Sequence, residues 1–146
     1  IGQTNIKRLI AYSSIGHIGY ALAGISTGTP AGYSSSITYI SIYVIMNLGV
    51  FGCIFLMKKD GKYCEDIKDL EGISKQNPLL AISFLMIMFS LAGIPPLAGF
   101  FAKFYVFISV IESGMYTLAI VGLLSTVISA FYYLRIIKII YFDKNE

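Results

Sequence analysis

Two titratable side chains stand inside long apolar runs, and proton transfer is the chemistry such residues can do there. Lys103 lies nine residues before Glu112, about 13 Å along a helix and close to half of a ~30 Å hydrocarbon core. Its stem covers only part of that distance, so it cannot reach an interface by snorkelling. An ammonium at that depth costs about 3 kcal/mol on insertion scales, which implies a partner or a task. Reached by water, the amine can take up and release a proton. The structural alternative is a lysine buried against a carboxylate of a neighbouring subunit, and the third is lipid contact. The nearby sequence Gly93-Ile94-Pro95-Pro96 favours proton handling, because discontinuous membrane helices occur where ions and protons are bound.

His17, the only histidine, stands ten residues after Lys7, about 15 Å into the first apolar run. Imidazole titrates near pH 6.5 in water and suits a relay; the alternative is a neutral ring donating one hydrogen bond to a neighbouring helix. Tyr12, Ser13, Ser14 and Tyr20 offer hydroxyls able to order water near His17, and Tyr12, Ser13 and Ser14 with Lys7 form the expected supporting polar path. The competing roles are a serine bonding its own backbone and a tyrosine sitting at the interface.

Four apolar stretches must position these groups. They run from about 9 to 28, 37 to 57, 79 to 111 and 115 to 134, with the turn Thr29-Pro30-Ala31-Gly32 between the first two. The third, as one straight helix, would measure about 50 Å, too long for a single regular span. Gly93, Pro95 and Pro96 near its middle remove backbone donors and loosen the chain, so two half-helices are expected. The fold class expected is all-α: a polytopic transmembrane protein of four spans, one of them discontinuous at Gly93-Pro96. Residues 1–146 form a single module.

If the stretches cross in turn, ten of the eleven basic residues share one side: Lys7, Arg8, Lys58, Lys59, Lys62, Lys68, Lys75, Arg135, Lys138 and Lys144. Lys and Arg accumulate on the inner side of short loops, so both ends are expected in the cytoplasm or mitochondrial matrix. The polar inside loop 58–78 balances five Lys against Asp60, Glu65, Asp66, Asp69 and Glu71, and reads as a solvated connector with an amphipathic turn at 67–73. Gly24 and Gly28 are spaced for close helix contact, and Asn47 for a bond across helices.

Composition agrees with a bilayer as solvent. Only 13% of the 146 residues are charged and 56% are hydrophobic, with a mean hydropathy of +0.75. A soluble domain carries about 25% charged residues. The net charge of +3 comes from residues scattered between apolar runs, which argues against nucleic acid. Cys53 and Cys64 have neither metal-ligand spacing nor a disulfide framework and read as free thiols. No phosphate-cradling glycine loop, metal-ligand cluster, Cys/His pair or apolar carboxylate pair is evident, so no redox chemistry or cofactor binding is expected of this chain. No secretory leader is expected before the first run, and with Ile1 in place of an initiator Met the chain is expected to be a piece of a longer one.

Three segments carry a resemblance. The run from Gly2 through Lys7-Arg8-Leu9-Ile10-Ala11-Tyr12-Ser13-Ser14-Ile15-Gly16-His17 to Tyr20 resembles the antiporter-like membrane subunits of respiratory complex I. So do Ser90-Leu91-Ala92-Gly93-Ile94-Pro95-Pro96-Leu97-Ala98-Gly99-Phe100-Phe101-Ala102-Lys103-Phe104-Tyr105 and Phe131-Tyr132-Tyr133-Leu134-Arg135, which look like the subunit-N type, called NADH dehydrogenase subunit 2 in mitochondria. Only the loop from Lys58 to Lys75 is generic. The resemblance implies about fourteen helices in two inverted five-helix repeats, of which this chain supplies the tenth to thirteenth. It implies that Lys103 matches the lysine of the broken twelfth helix that passes protons outward, and that His17 matches a titratable position on the tenth.

The resemblance further implies proton translocation coupled to NADH oxidation and quinone reduction. NADH, FMN, iron-sulfur clusters and quinone would be bound by other subunits, and the partners would be adjacent antiporter-like subunits and the N-terminal part of the same subunit. That part would hold a glutamate and two lysines of the first half-channel and centre, so this piece alone should not pump. It is either a fragment or a split-gene product. The membrane would be a bacterial cytoplasmic or mitochondrial inner membrane. The same fold occurs in multi-subunit cation/proton antiporters and energy-converting hydrogenases, which stand as alternatives beside a non-translocating structural subunit.

Overall fold

The computed structural model describes residues 5–56, 58–59, 62–63, 67–70, 73–94 and 97–142. Helix α1 (Ile6–Ser26) and α2 (Pro30–Leu56) form a hairpin, followed by a two-residue ladder of β1 (Lys58–Lys59) and β2 (Lys62–Tyr63) that pairs Lys58 with Tyr63. A 3-10 turn (Ile67–Leu70) and α3 (Ile73–Gln76) lead to α4 (Pro78–Ala92), α5 (Ala98–Glu112) and α6 (Tyr116–Tyr141). Among the described residues, three helices, α1, α2 and α6, are long and apolar enough to cross a membrane, and α4 is a shorter apolar helix.

Several boundaries depart from the expectation. Helix α2 begins at Pro30, not near 37, because a proline at the first helical position gives up only an N–H that would lack an intrahelical partner anyway. The Thr29 hydroxyl caps that end by accepting from the Gly32 N–H at 3.1 Å. Thr29 to Gly32 is therefore a helix start and not a free turn. Helix α6 continues past 134 to Tyr141, so Arg135 and Lys138 lie within it; Ile136, Ile137, Ile139 and Ile140 are buried there, and packing sustains the extra turns.

Within the connector 58–78, three of the described apolar residues are buried. Ile67, Leu70 and Ile73 are buried in the same cluster as Phe84 of α4 and Tyr133 of α6; a spacing of three places Ile67 and Leu70 on one side of the 3-10 turn. Asp60, Glu65, Asp66, Glu71 and Cys64 lie outside the described residues; Cys53 is a buried free cysteine on α2.

The hairpin contact also differs from the expected glycine pair. Gly24 meets Gly32 and Ser36 of α2, where an added Cβ would run into both, and the Ser36 hydroxyl donates to the Ala21 carbonyl at 2.7 Å. Gly28 has open space around it and belongs to the turn. Asn47 accepts a long bond (3.5 Å) from Tyr43 of its own helix.

Apolar packing falls into two clusters. One gathers Leu9 and Ile10 of α1, Val50 and Ile54 of α2, Phe84 and Met88 of α4, and Tyr133 and Ile136 of α6. The other gathers Tyr20 and Ala21 of α1, Tyr39 of α2, Ala102 and Val106 of α5, and Ala119 of α6. Outside the bundle, Ile37, Ile45 and Leu48 of α2 and Leu124 and Val127 of α6 are exposed, as lipid- or subunit-facing positions are.

Helix α4 stops where Gly93 takes φ +85°, a left-handed conformation that L side chains rarely adopt. The N–H groups of Gly93 and Ile94 then close onto the Ser90 and Phe89 carbonyls, each at 3.1 Å. Helix α5 opens at Ala98; Pro95 and Pro96, expected to make the break, lie outside the described residues. The two helices stay in touch through Gly99, whose N–H donates to the Ser90 hydroxyl at 3.0 Å. A hydroxyl pair between Ser35 and Ser109 (2.8 Å) ties α5 to α2.

Candidate functional site

His17 stands between the two apolar clusters, 3% exposed. Its Nδ1 is hydrogen-bonded to the Tyr39 hydroxyl of α2, and its Nε2 lies 2.8 Å from the Tyr133 hydroxyl of α6. The ring stacks on Tyr43, with centroids 4.6 Å apart. A neutral imidazole presents one N–H and one lone pair, whereas a phenol both donates and accepts. Two phenols therefore satisfy either tautomer, and both can accept if the ring carries two protons.

Lys103 is 5% exposed on α5. Its Nζ donates to the Leu91 carbonyl at 3.1 Å and lies 5.0 Å from the centre of the Tyr20 ring. Leu91 belongs to the last turn of α4, where carbonyls lack intrahelical partners and the helix dipole favours a cation. Ending α4 at Gly93 is what offers this carbonyl to the amine. Gly93 also leaves room for it: a Cβ there would stand 3.3 Å from Lys103 Cδ and 3.6 Å from Nζ.

Tyr20 connects the two groups. Its ring centroid is 6.3 Å from that of His17, and its hydroxyl lies 2.6 Å from Thr126 Oγ1 on α6. Tyr20 follows His17 by three residues, hence shares its face of α1. A cavity of 410 Å³ opens between α1, α5 and α6 and is bordered by Ser13, His17, Tyr20, Ser129 and Tyr132.

The other expected path residues are distributed unevenly. Ser13 is buried beside the cavity, but its hydroxyl donates to the Ile10 carbonyl at 2.8 Å, and Ser14 bonds Ala11 in the same manner. Tyr12 is 62% exposed, since five residues place it about 140° around the helix from His17. Lys7 lies over the Phe55 ring of α2, 5.5 Å from its centre and about 15 Å of helix rise from His17.

Sequence reasoning missed Tyr39, Tyr43 and Tyr133. Position was a signal only for Tyr43, which stands well inside the run 37–57; Tyr39 and Tyr133 fall near the ends of their runs, where interfacial tyrosines ordinarily gather. Tyr133→Phe would strand the buried His17 Nε2, costing about 1–3 kcal/mol. The expected result is a lower thermal midpoint of the intact assembly, partly restored by adding His17→Leu, as measured by heating followed by native electrophoresis.

The family model described as NADH:quinone oxidoreductase/Mrp antiporter, TM, matches residues 1–129. NADH-quinone oxidoreductase subunit N of Pelagibacter ubique is 67% identical over 146 residues, covering 100% of this chain and 31% of that protein. The protein of the same name from Rhodospirillum rubrum is 56% identical over 144 residues, 99% of this chain and 30% of its own length. A chain of respiratory complex I from Thermus thermophilus, solved with bound aureothin, superposes with a TM-score of 0.81 at 31% identity, over 99% of this chain and 33% of that one. A chain of the Mrp complex from Dietzia sp. gives a TM-score of 0.87 at 28% identity, over 99% and 27%. The chain spans about 30% of the length of the curated relatives it matches. With a family match over 129 of 146 residues and a helical bundle that superposes on these chains, the chain belongs to the NADH:quinone oxidoreductase/Mrp antiporter transmembrane family.

Proposed function

We propose that this chain is part of a proton-translocating membrane subunit of NADH-quinone oxidoreductase, of the subunit-N type, and carries the exit-side segment of its proton path. One observation carries the assignment of Lys103 as the proton carrier. Among the described residues, the contacts of its buried amine, the Leu91 carbonyl and the Tyr20 ring, are neutral. The amine can therefore lose its proton without leaving an unpaired buried anion, the main penalty when a buried ion pair is broken. A proton arriving through the upstream part of the subunit passes by water and His17 to Lys103, which releases it outward when a nearby charge pair changes state. Coulomb coupling of that kind is strong where the effective dielectric is low.

Four crossings follow, by α1, α2, α4 with α5, and α6. Neither α4 nor α5, at 15 residues and about 22 Å, spans a ~30 Å core, so together they act as one discontinuous span. Both ends lie on the cytoplasmic or matrix side of a bacterial cytoplasmic or mitochondrial inner membrane, with ten basic residues on that side. The remaining helices of the subunit and adjacent antiporter-like subunits are its neighbours. NADH, FMN, iron-sulfur clusters and quinone are bound elsewhere in the complex.

The high similarity to the Mrp complex chain supports a second reading, a subunit of a multi-subunit cation/proton antiporter. Affinity purification of the full-length subunit from detergent-solubilised membranes separates the two. Recovery of NADH:quinone reductase activity with the tagged subunit supports the first. Recovery of an antiporter assembly lacking that activity overturns it.

A further inference from the structure

We propose that Tyr20 is the positioning residue for Lys103: its ring forms the seat of the protonated amine, and its hydroxyl anchors that seat to α6 through Thr126. The inference rests on Lys103 being the proton carrier. The Lys103 Nζ lies 5.0 Å from the Tyr20 ring centre while donating to the Leu91 carbonyl at 3.1 Å, and the amine is buried. An aromatic face attracts a cation through its quadrupole and offers a neutral amine far less, and the attraction grows where water is excluded. The ring thus distinguishes the two protonation states of the lysine, which a backbone carbonyl that accepts from either form does only weakly.

The ring itself is held. Tyr20 Oη lies 2.6 Å from Thr126 Oγ1, and the Thr126 hydroxyl is 3.0 Å from the Gly122 carbonyl of its own helix. The Phe107 ring meets Tyr20 edge to face, with centroids 5.8 Å apart. Phe107 lies four residues after Lys103 on α5, so one helix supplies both the cation and a side wall of its seat. The Tyr39 and His17 rings also neighbour Tyr20, with centroids 5.7 and 6.3 Å away, which places the Tyr20 ring beside both titratable groups. An anchor on α6 means that a displacement of α6 would carry the ring with it and change the setting of the charged amine without touching Lys103.

The test uses the complete complex in oriented membrane vesicles and reads proton uptake per electron and coupled turnover, normalised to assembled complex. Tyr20→Phe keeps the ring and should retain most of the parental coupling, whereas Tyr20→Leu removes the face and should lower coupled turnover roughly tenfold. Thr126→Val, which removes the anchor, should resemble Tyr20→Phe. Added to Lys103→Met, Tyr20→Leu should cause no further loss, because the residue acts through the lysine. If Tyr20→Leu assembles poorly, Tyr20→Met serves as the variant without an aromatic face.

Unchanged coupling in both non-aromatic variants would overturn the proposal, as would Phe proving as damaging as Leu, or Tyr20→Leu adding a further loss to Lys103→Met. Unchanged protons per electron in Lys103→Met would instead overturn the carrier assignment and the seat with it. A coupled defect in Lys103→Met with parental behaviour of the non-aromatic variants would remove the seat alone.

Discussion

Lys103→Met in the complete subunit is expected to lower the protons taken up per electron and to cut coupled turnover by about a hundredfold, with the complex still assembled. Methionine matches the length and helix preference of lysine and suits an apolar interior, so α5 keeps its packing against α2 and α4. What it removes is the exchangeable proton and one hydrogen bond to the Leu91 carbonyl at the end of α4. Leaving that carbonyl without its side-chain partner costs about 1–3 kcal/mol, enough to lower the thermal midpoint without abolishing assembly. The measurement is NADH-driven proton uptake into oriented vesicles, divided by electron flux and by complex quantified on native gels. Unchanged protons per electron beside a reduced yield would make Lys103 a structural lysine. Fewer protons at full assembly would make it a carrier.

Gly99→Ala should have the second large effect, on assembly. Helix α5 begins so close to the last turns of α4 that a Cβ at Gly99 would enter the space of the Ser90 carbonyl, and the Ser90 hydroxyl is already committed to the Gly99 N–H at 3.0 Å. Backbone cannot yield as a flexible side-chain end can, so α4 and α5 must separate at a cost of about 3 kcal/mol or more. Gly99 and Lys103, four residues apart, share a helix face, so the separation also draws the amine away from Leu91. The expected outcome is a large loss of assembled complex at growth temperature and reduced coupling in whatever remains. Gly52→Ala on α2 serves as the control, because its Cβ would meet nothing within 4 Å. Equal assembly of the Gly99 and Gly52 variants would show that α4 and α5 do not need this close approach.

The sequence alone was sufficient for the solvent and for the two titratable residues. Apolar runs of span length with few charges leave a bilayer as the medium, and a lysine or histidine far from either end of such a run is visible without any structure. Helix ends were less legible. Pro30 read as part of a turn although proline is well placed at a first helical position, and the turns beyond Leu134 were hidden because Arg135 and Lys138 resembled a flank.

Which side chains meet His17 and Lys103 was decided only by tertiary structure. His17 and Tyr133 are separated by 116 positions, and their bond depends on how α1 and α6 are rotated about their axes. In a soluble bundle an apolar stripe announces that rotation; in a membrane the lipid-facing and buried positions are both apolar, so the stripe disappears. Tyr12 and Tyr20 illustrate the consequence. Both are tyrosines near His17 in sequence, yet one is exposed and the other lies beneath the Lys103 amine, because three residues return to the same helix face and five do not. Likewise, the Leu91 carbonyl became a partner for Lys103 only because α4 ends at Gly93 and α5 folds back across its last turn. Residue type and depth in an apolar run determine that a titratable group is present, whereas its partners depend on helix rotation and crossing, which come from packing.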